Sequence, residues 1–128
     1  MIWIGFILIF LSGLFESVMD TLQFHYDVSI FKKLINQRYW YPGFSWMNKW
    51  KNGDPKQGER FLGSSTIFVG LTDAWHTFKL LHNLTIFLGL FFIAISQVTI
   101  LWMIFYYIIA RIIFGLSFSL FFWLWTKL

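Results

Sequence analysis

Residues 100–125 read ILWMIFYYIIARIIFGLSFSLFFWLW, a run with one charge, Arg111, and no proline. At 1.5 Å per residue such a run outspans the ~30 Å hydrocarbon core of a bilayer, so it predicts a membrane-spanning helix. Working back, LTIFLGLFFIAI at residues 84–95 has the same character. It follows a half that alternates apolar residues with Asp73, His76, Lys79 and His82, so the second span is expected over about 72–95. A helix starting as early as Ile67 fits the pattern, with Ser64, Ser65 or Thr66 as its cap. The boundary after it, near Ser96–Gln97, has neither proline nor glycine. A first span is expected over about 2–23, apolar for two-thirds of its length and then bearing Glu16, Asp20 and Gln23. Breaking the last run near Arg111 would give four spans, the final one only about 17 residues, the lower limit for crossing.

Composition agrees with the spans. Of 128 residues, 58% are hydrophobic, 23% aromatic and only 12% charged, and mean hydropathy is +0.64. Soluble domains carry about 25% charged residues, and a chain this small buries only about 60–70% of its unfolded surface. The surplus apolar surface needs lipid. The fold class expected is an all-α integral membrane protein, a single domain of about three transmembrane helices plus a short amphipathic interfacial lobe. The apolar N-terminus has no basic leader and no small-residue cleavage site, so it is expected to remain as a span. No cysteine is present, which excludes disulfides, thiolate metal sites and a cysteine nucleophile.

The polar aromatic and basic segment, 26–65, separates the first two spans. Ser29–Asn36 suggests a short amphipathic helix. Beyond it Pro42-Gly43, Asn52-Gly53, Asp54-Pro55 and Gly58 signal turns. Trp46 and Trp50, four apart beside Lys49 and Lys51, suggest a helix lying in the headgroup plane. Trp40, Trp46, Lys49, Trp50 and Lys51 are the expected membrane-surface contacts. Lipid is the expected partner here, and nucleic acid is not. Lys32, Lys33, Arg38, Lys49, Lys51, Lys56 and Arg60 all fall after the first span, so the positive-inside rule predicts this segment and Lys127 in the cytoplasm and the N-terminus outside.

Three chemistries compete for the ionisable residues inside the spans. Charges at such depths usually pair or line a wet cavity. The simplest expectation is buried ion pairs, Glu16 with Arg111 and Asp73 (or Asp20) with Lys79. A second is a metal site for zinc, iron or manganese. Asp73 and His76, at i and i+3, share a helix face, and Glu16 and Asp20 would complete the ligands, with His25 and His82 as outer candidates. A third is a proton or ion path through Glu16, Asp20, Asp73 and His76. The outer halves of the spans offer it no exit unless the protein oligomerises. Asn83-Leu-Thr85 matches a glycosylation sequon but abuts an apolar run. Phosphate-binding loops, nucleophile elbows, zinc-protease signatures and dinucleotide fingerprints are absent from the sequence.

Gly115 and Ser119 form a small-xxx-small pair suited to close helix approach; Ser117 and Gly89 offer the same. With no catalytic signature, the expected function is a small polytopic accessory or subunit protein of a larger membrane complex, with a protein partner or homo-oligomer. The alternatives are a metal-dependent membrane enzyme or carrier and a small oligomeric pore or lysis-type protein.

Overall fold

The computed structural model of the chain describes residues 1–96 and 99–128. Three long helices, α1 (Ile2–Phe24), α4 (Ala74–Ala94) and α5 (Ile100–Lys127), carry the fold, with the short α2 (Gln37–Trp40) and α3 (Pro42–Ser45) between the first two. Among the described residues there is one isolated antiparallel bridge, Trp50 with Glu59. Each long helix is long and apolar enough to cross a membrane. The chain is an all-α membrane protein with three candidate spans. Helix α5 runs unbroken past Arg111, which removes the four-span reading. The boundary expected at Ser96–Gln97 falls partly on Gln97, outside the described residues.

Helix α1 is the centre of the bundle. It packs along both α4 and α5, which scarcely touch each other. Between lipid-bathed helices there is little hydrophobic driving force, so close packing and hydrogen bonds decide which faces meet. Small residues on α1 supply both. A methyl group on Gly5 would stand 2.9 Å from the Gly89 carbonyl oxygen of α4, and one on Gly13 would stand 2.6 Å from the Phe114 carbonyl oxygen of α5. Ser117 donates to the Phe10 carbonyl at 2.6 Å, and the Trp125 indole donates to the Ser17 hydroxyl at 3.0 Å. Ser117 and Gly89 therefore do the internal packing. Gly115 has open space where its side chain would be, and Ser119 is exposed.

The polar segment folds as a lobe at one end of the bundle. Its core joins Tyr26 and Phe31 to Val18, Leu22 and Ala74 of the spans, with Trp40, Phe78 and Trp125 packed around them. The Tyr26 hydroxyl donates to the Gln37 side-chain carbonyl. Burial and the neighbouring Tyr41 and Asp27 push its phenol above the usual tyrosine range. Lys33 Nζ donates to the Leu128 carbonyl at 2.7 Å, so the C-terminus lies beside the lobe and Met1 at the opposite end.

Several local expectations are corrected. Ile30–Lys33 and Trp46–Lys49 are single 3-10 turns, and Trp50 is extended at φ −109° and ψ 151°. Trp46 and Trp50 thus share no helix face; the turn residues leave stretches too short to repay helix nucleation. Trp40 turns inward, stacked on Phe31 with ring centroids 5.3 Å apart and planes at 7°. Trp46 is exposed.

The second span starts at Ala74, close to the expected 72, and its helix does not extend back to Ile67. The stretch before it, Phe61–Thr72, is a series of tight turns ending in a 3-10 turn at Val69–Leu71. Glu59 organises it. Its carboxylate accepts from the backbone N–H of Gly63 at 2.9 Å and of Ser65 at 3.0 Å, and from the Ser65 hydroxyl. Gly63 sits at φ +77°, a conformation that favours glycine. Those donors hold the Glu59 carboxyl below the usual carboxylate range. Because the folded value is lowered, the contribution is complete above the ordinary range and disappears as pH falls through the lowered value. Amide-exchange protection at Gly63 and Ser65 is expected to fall at acid pH in the wild type and to be low at every pH in Glu59→Gln. Equal protection in both would remove the carboxylate from the loop's stability.

Candidate functional site: the groove between the second and third spans

Because α4 and α5 both lean on α1 but hardly on each other, a groove runs between them with α1 as its floor. At the end away from the lobe it opens into a cavity of about 390 Å³, walled by Leu90, Ile93 and Ala94 of α4 and Ile100, Met103 and Tyr107 of α5. A smaller recess of about 80 Å³ continues it, floored by Ile9 and closed by Ile86, Arg111 and Phe114. Leu90 and Tyr107 line both.

Arg111 borders this groove, and a chain of contacts leads from it to His82 and Glu16. Arg111 is exposed, and its guanidinium carbon stands 5.4 Å from the centroid of Phe114. The Phe114 ring meets the His82 ring edge-on at 6.1 Å. His82 Nδ1 lies 3.1 Å from the Ser12 carbonyl oxygen and 3.5 Å from Glu16 Oε2. A carbonyl can only accept, so Nδ1 carries the hydrogen. Asp20 follows Glu16 by one turn on the same face of α1.

The expected ion pairs are corrected accordingly. Among the described residues the salt bridges are His82–Glu16 and His76–Asp73; Arg111 and Lys79 have no carboxylate within 4.0 Å. Lys79 lies over the Trp75 ring at 4.7 Å. Arg111 is level with Ile9, so Glu16 lies about 10 Å further along α1 toward the lobe, with Phe114 and His82 between them.

The Asp73-Ala-Trp-His76 spacing has a structural role. Asp73 is the N-cap of α4 and only 1% exposed. Its Oδ1 accepts from the His76 backbone N–H at 3.0 Å. Its Oδ2 accepts from Thr72 Oγ1 at 3.0 Å and from His76 Nδ1 at 2.7 Å. These bonds satisfy the carboxylate where the helix needs an acceptor. The four residues expected as metal ligands therefore divide: Asp73 with His76 at the helix start, Glu16 with His82 deeper, Asp20 in neither pair. Among the described residues no group of three or more His, Asp or Glu could hold a metal ion.

No family model, curated protein or solved structure matches this chain. The groove has apolar walls, from two helices that touch little, and one cation, Arg111. Sequence reasoning picked out Arg111 but missed Tyr107 and Phe114, one turn to either side of it. Their spacing of four and three residues from Arg111 was the available signal.

Proposed function

We propose that this protein is a small membrane subunit whose α4–α5 groove receives a transmembrane helix of a larger complex. The observation that supports this reading is the state of Arg111. It lies 11 residues into α5, about 17 Å from that helix's start, and level with Ile9, about 10 Å into α1. A charge at such depth costs about 2.5–3.5 kcal/mol on insertion scales. A cation–π contact returns about 0.5–2 kcal/mol, which leaves a deficit. A carboxylate on an incoming helix would remove that deficit.

The lobe carries Lys32, Lys33, Arg38, Lys49, Lys51, Lys56 and Arg60, and Lys127 lies at the same end. By the positive-inside rule that end faces the cytoplasm and Met1 the outside.

Arg111→Leu separates this reading from a buried internal ion pair. Breaking such a pair would destabilise the chain by about 3–5 kcal/mol. Here the side chain is exposed and unpaired by carboxylate, so the isolated variant in detergent is expected to match wild type within roughly 0.5 kcal/mol. Its native assembly, sized after gentle solubilisation, is expected to fall to the lone chain. A variant that keeps the wild-type assembly size would remove Arg111 from docking. Where the incoming helix belongs to a second copy, the assembly is a homo-oligomer and the pore reading replaces the subunit reading.

A further inference from the structure

A second recess lies on the opposite side of α4, where the lobe's turn segment packs against that helix's first turns. Its volume is about 360 Å³, and its polar lining is Lys49, Ser65, His76, Lys79 and Asn83. Ile67, Val69, Gly70 and Leu80 form the apolar part. Gly70 seats it: a methyl group there would stand 2.8 Å from Leu80 Cδ2, so the loop backbone lies directly on the helix. We propose that this recess binds the phosphate of an anionic phospholipid, with the acyl chains lying along the exposed Ile67 and Leu80. The inference does not depend on the groove at Arg111.

Four observations converge. First, Lys49 and Lys79 both line the recess, and neither is in a salt bridge among the described residues. Two carboxylates stand behind the lining, Asp73 against His76 and Glu59 against Ser65, and each is already held by hydrogen bonds. Second, two of the groups are held in place. Lys79 rests on Trp75, and the His76 ring is fixed through Nδ1 by the buried Asp73, which leaves its other nitrogen for a ligand. Third, Asn83 is exposed, and its side-chain amide makes no hydrogen bond among the described residues.

Fourth, the setting is that of a lipid. Lys79 is five residues into α4, about 8 Å along a helix that crosses the membrane. Ile67, which lines the recess, is 83% exposed, and Leu62, Phe68 and Leu71 of the same turn segment are exposed as well. A soluble phosphate would use the cations but leave this apolar surface in water. A phospholipid uses both.

The test uses the full-length protein in neutral detergent and the short-chain lipid dioctanoyl phosphatidylglycerol as probe. Dioctanoyl phosphatidylcholine and inorganic phosphate serve as comparisons. Wild type is set against Lys49→Gln/Lys79→Gln and against Lys51→Gln/Lys56→Gln, which removes the same charge from outside the recess. Two lysines at a lipid headgroup correspond to about thirtyfold in affinity. Binding of phosphatidylglycerol is expected to weaken by about that factor in the first variant and within about twofold in the second. Far-ultraviolet circular dichroism of both variants checks that the helices persist. Equal weakening in the two variants would reduce the effect to net charge and overturn the proposal. So would inorganic phosphate binding as tightly as the lipid, which would make the recess a site for a soluble anion.

Discussion

Gly13→Val is expected to destabilise the bundle by roughly 3 kcal/mol, at the upper end of the cost of overpacking a close-packed contact. Even the first added carbon would stand 2.6 Å from the Phe114 carbonyl oxygen and 2.9 Å from Ser117 Cβ. The first of those is backbone of α5 and cannot rotate aside. Helix α5 must therefore move away from α1, and the movement also breaks the bond from Ser117 to the Phe10 carbonyl, 2.6 Å long, and strains the bond from Trp125 to Ser17. Gly115→Ala on the same span is the internal comparison. Nothing lies within 4 Å of its added carbon, so the isolated protein should be unchanged or gain up to about 1 kcal/mol of helix propensity. Thermal unfolding of both variants in one detergent tests the contrast. A Gly13→Val protein as stable as wild type would mean that α1 and α5 do not meet at this register.

Asp73→Ala carries the second large effect, roughly 2–4 kcal/mol. Losing an N-cap acceptor costs about 0.5–2 kcal/mol. Leaving donors without partners adds about 1–3 kcal/mol, and here the His76 backbone N–H and ring lose their acceptor, while the Thr72 hydroxyl keeps the Val69 carbonyl at 2.8 Å. The damage should spread to the lobe. Thr77, one turn on, donates to the Gly70 carbonyl at 2.6 Å and accepts from the Tyr39 hydroxyl at 2.8 Å. Asn48 reaches the Thr72 carbonyl at 3.1 Å. Asp73→Asn keeps the capping oxygen and should recover about half of the loss. If alanine and asparagine variants unfold together at the wild-type temperature, Asp73 does not cap α4.

The spans were legible in the sequence because sustained apolarity is a signal that neighbouring structure seldom overrides. The expected 2–23, 72–95 and 100–125 became Ile2–Phe24, Ala74–Ala94 and Ile100–Lys127. The start of the second span was harder to read. Ile67–Leu71 has the composition of a helix, yet Glu59 and Gly63 close it into turns, and both lie upstream of the apolar run. Asp73 carried two meanings, metal ligand and cap, and spacing alone does not choose between them.

The rotational phase of each helix about its axis was not legible. It decides that Gly13 and Ser117 face inward while Gly115 and Ser119 face out. It also decides that His82 faces Glu16 and that Arg111 borders the recess at Ile9 and Phe114. Phase is fixed by packing among three helices at once, and no single helix's sequence contains it. Trp40 illustrates the same limit: an aromatic near an interface is an anchor or a core residue according to which way its turn faces.

The most direct test of the docking groove is site-specific photo-crosslinking in native membranes. Benzoyl-phenylalanine replaces Tyr107, on the groove wall, or Leu116, exposed on another face of α5. The account predicts that position 107 crosslinks to a transmembrane helix bearing an Asp or Glu at mid-depth, that Arg111→Leu abolishes this crosslink, and that position 116 yields no protein adduct. Adducts of equal yield from both positions, or a position-107 adduct that survives Arg111→Leu, would contradict it.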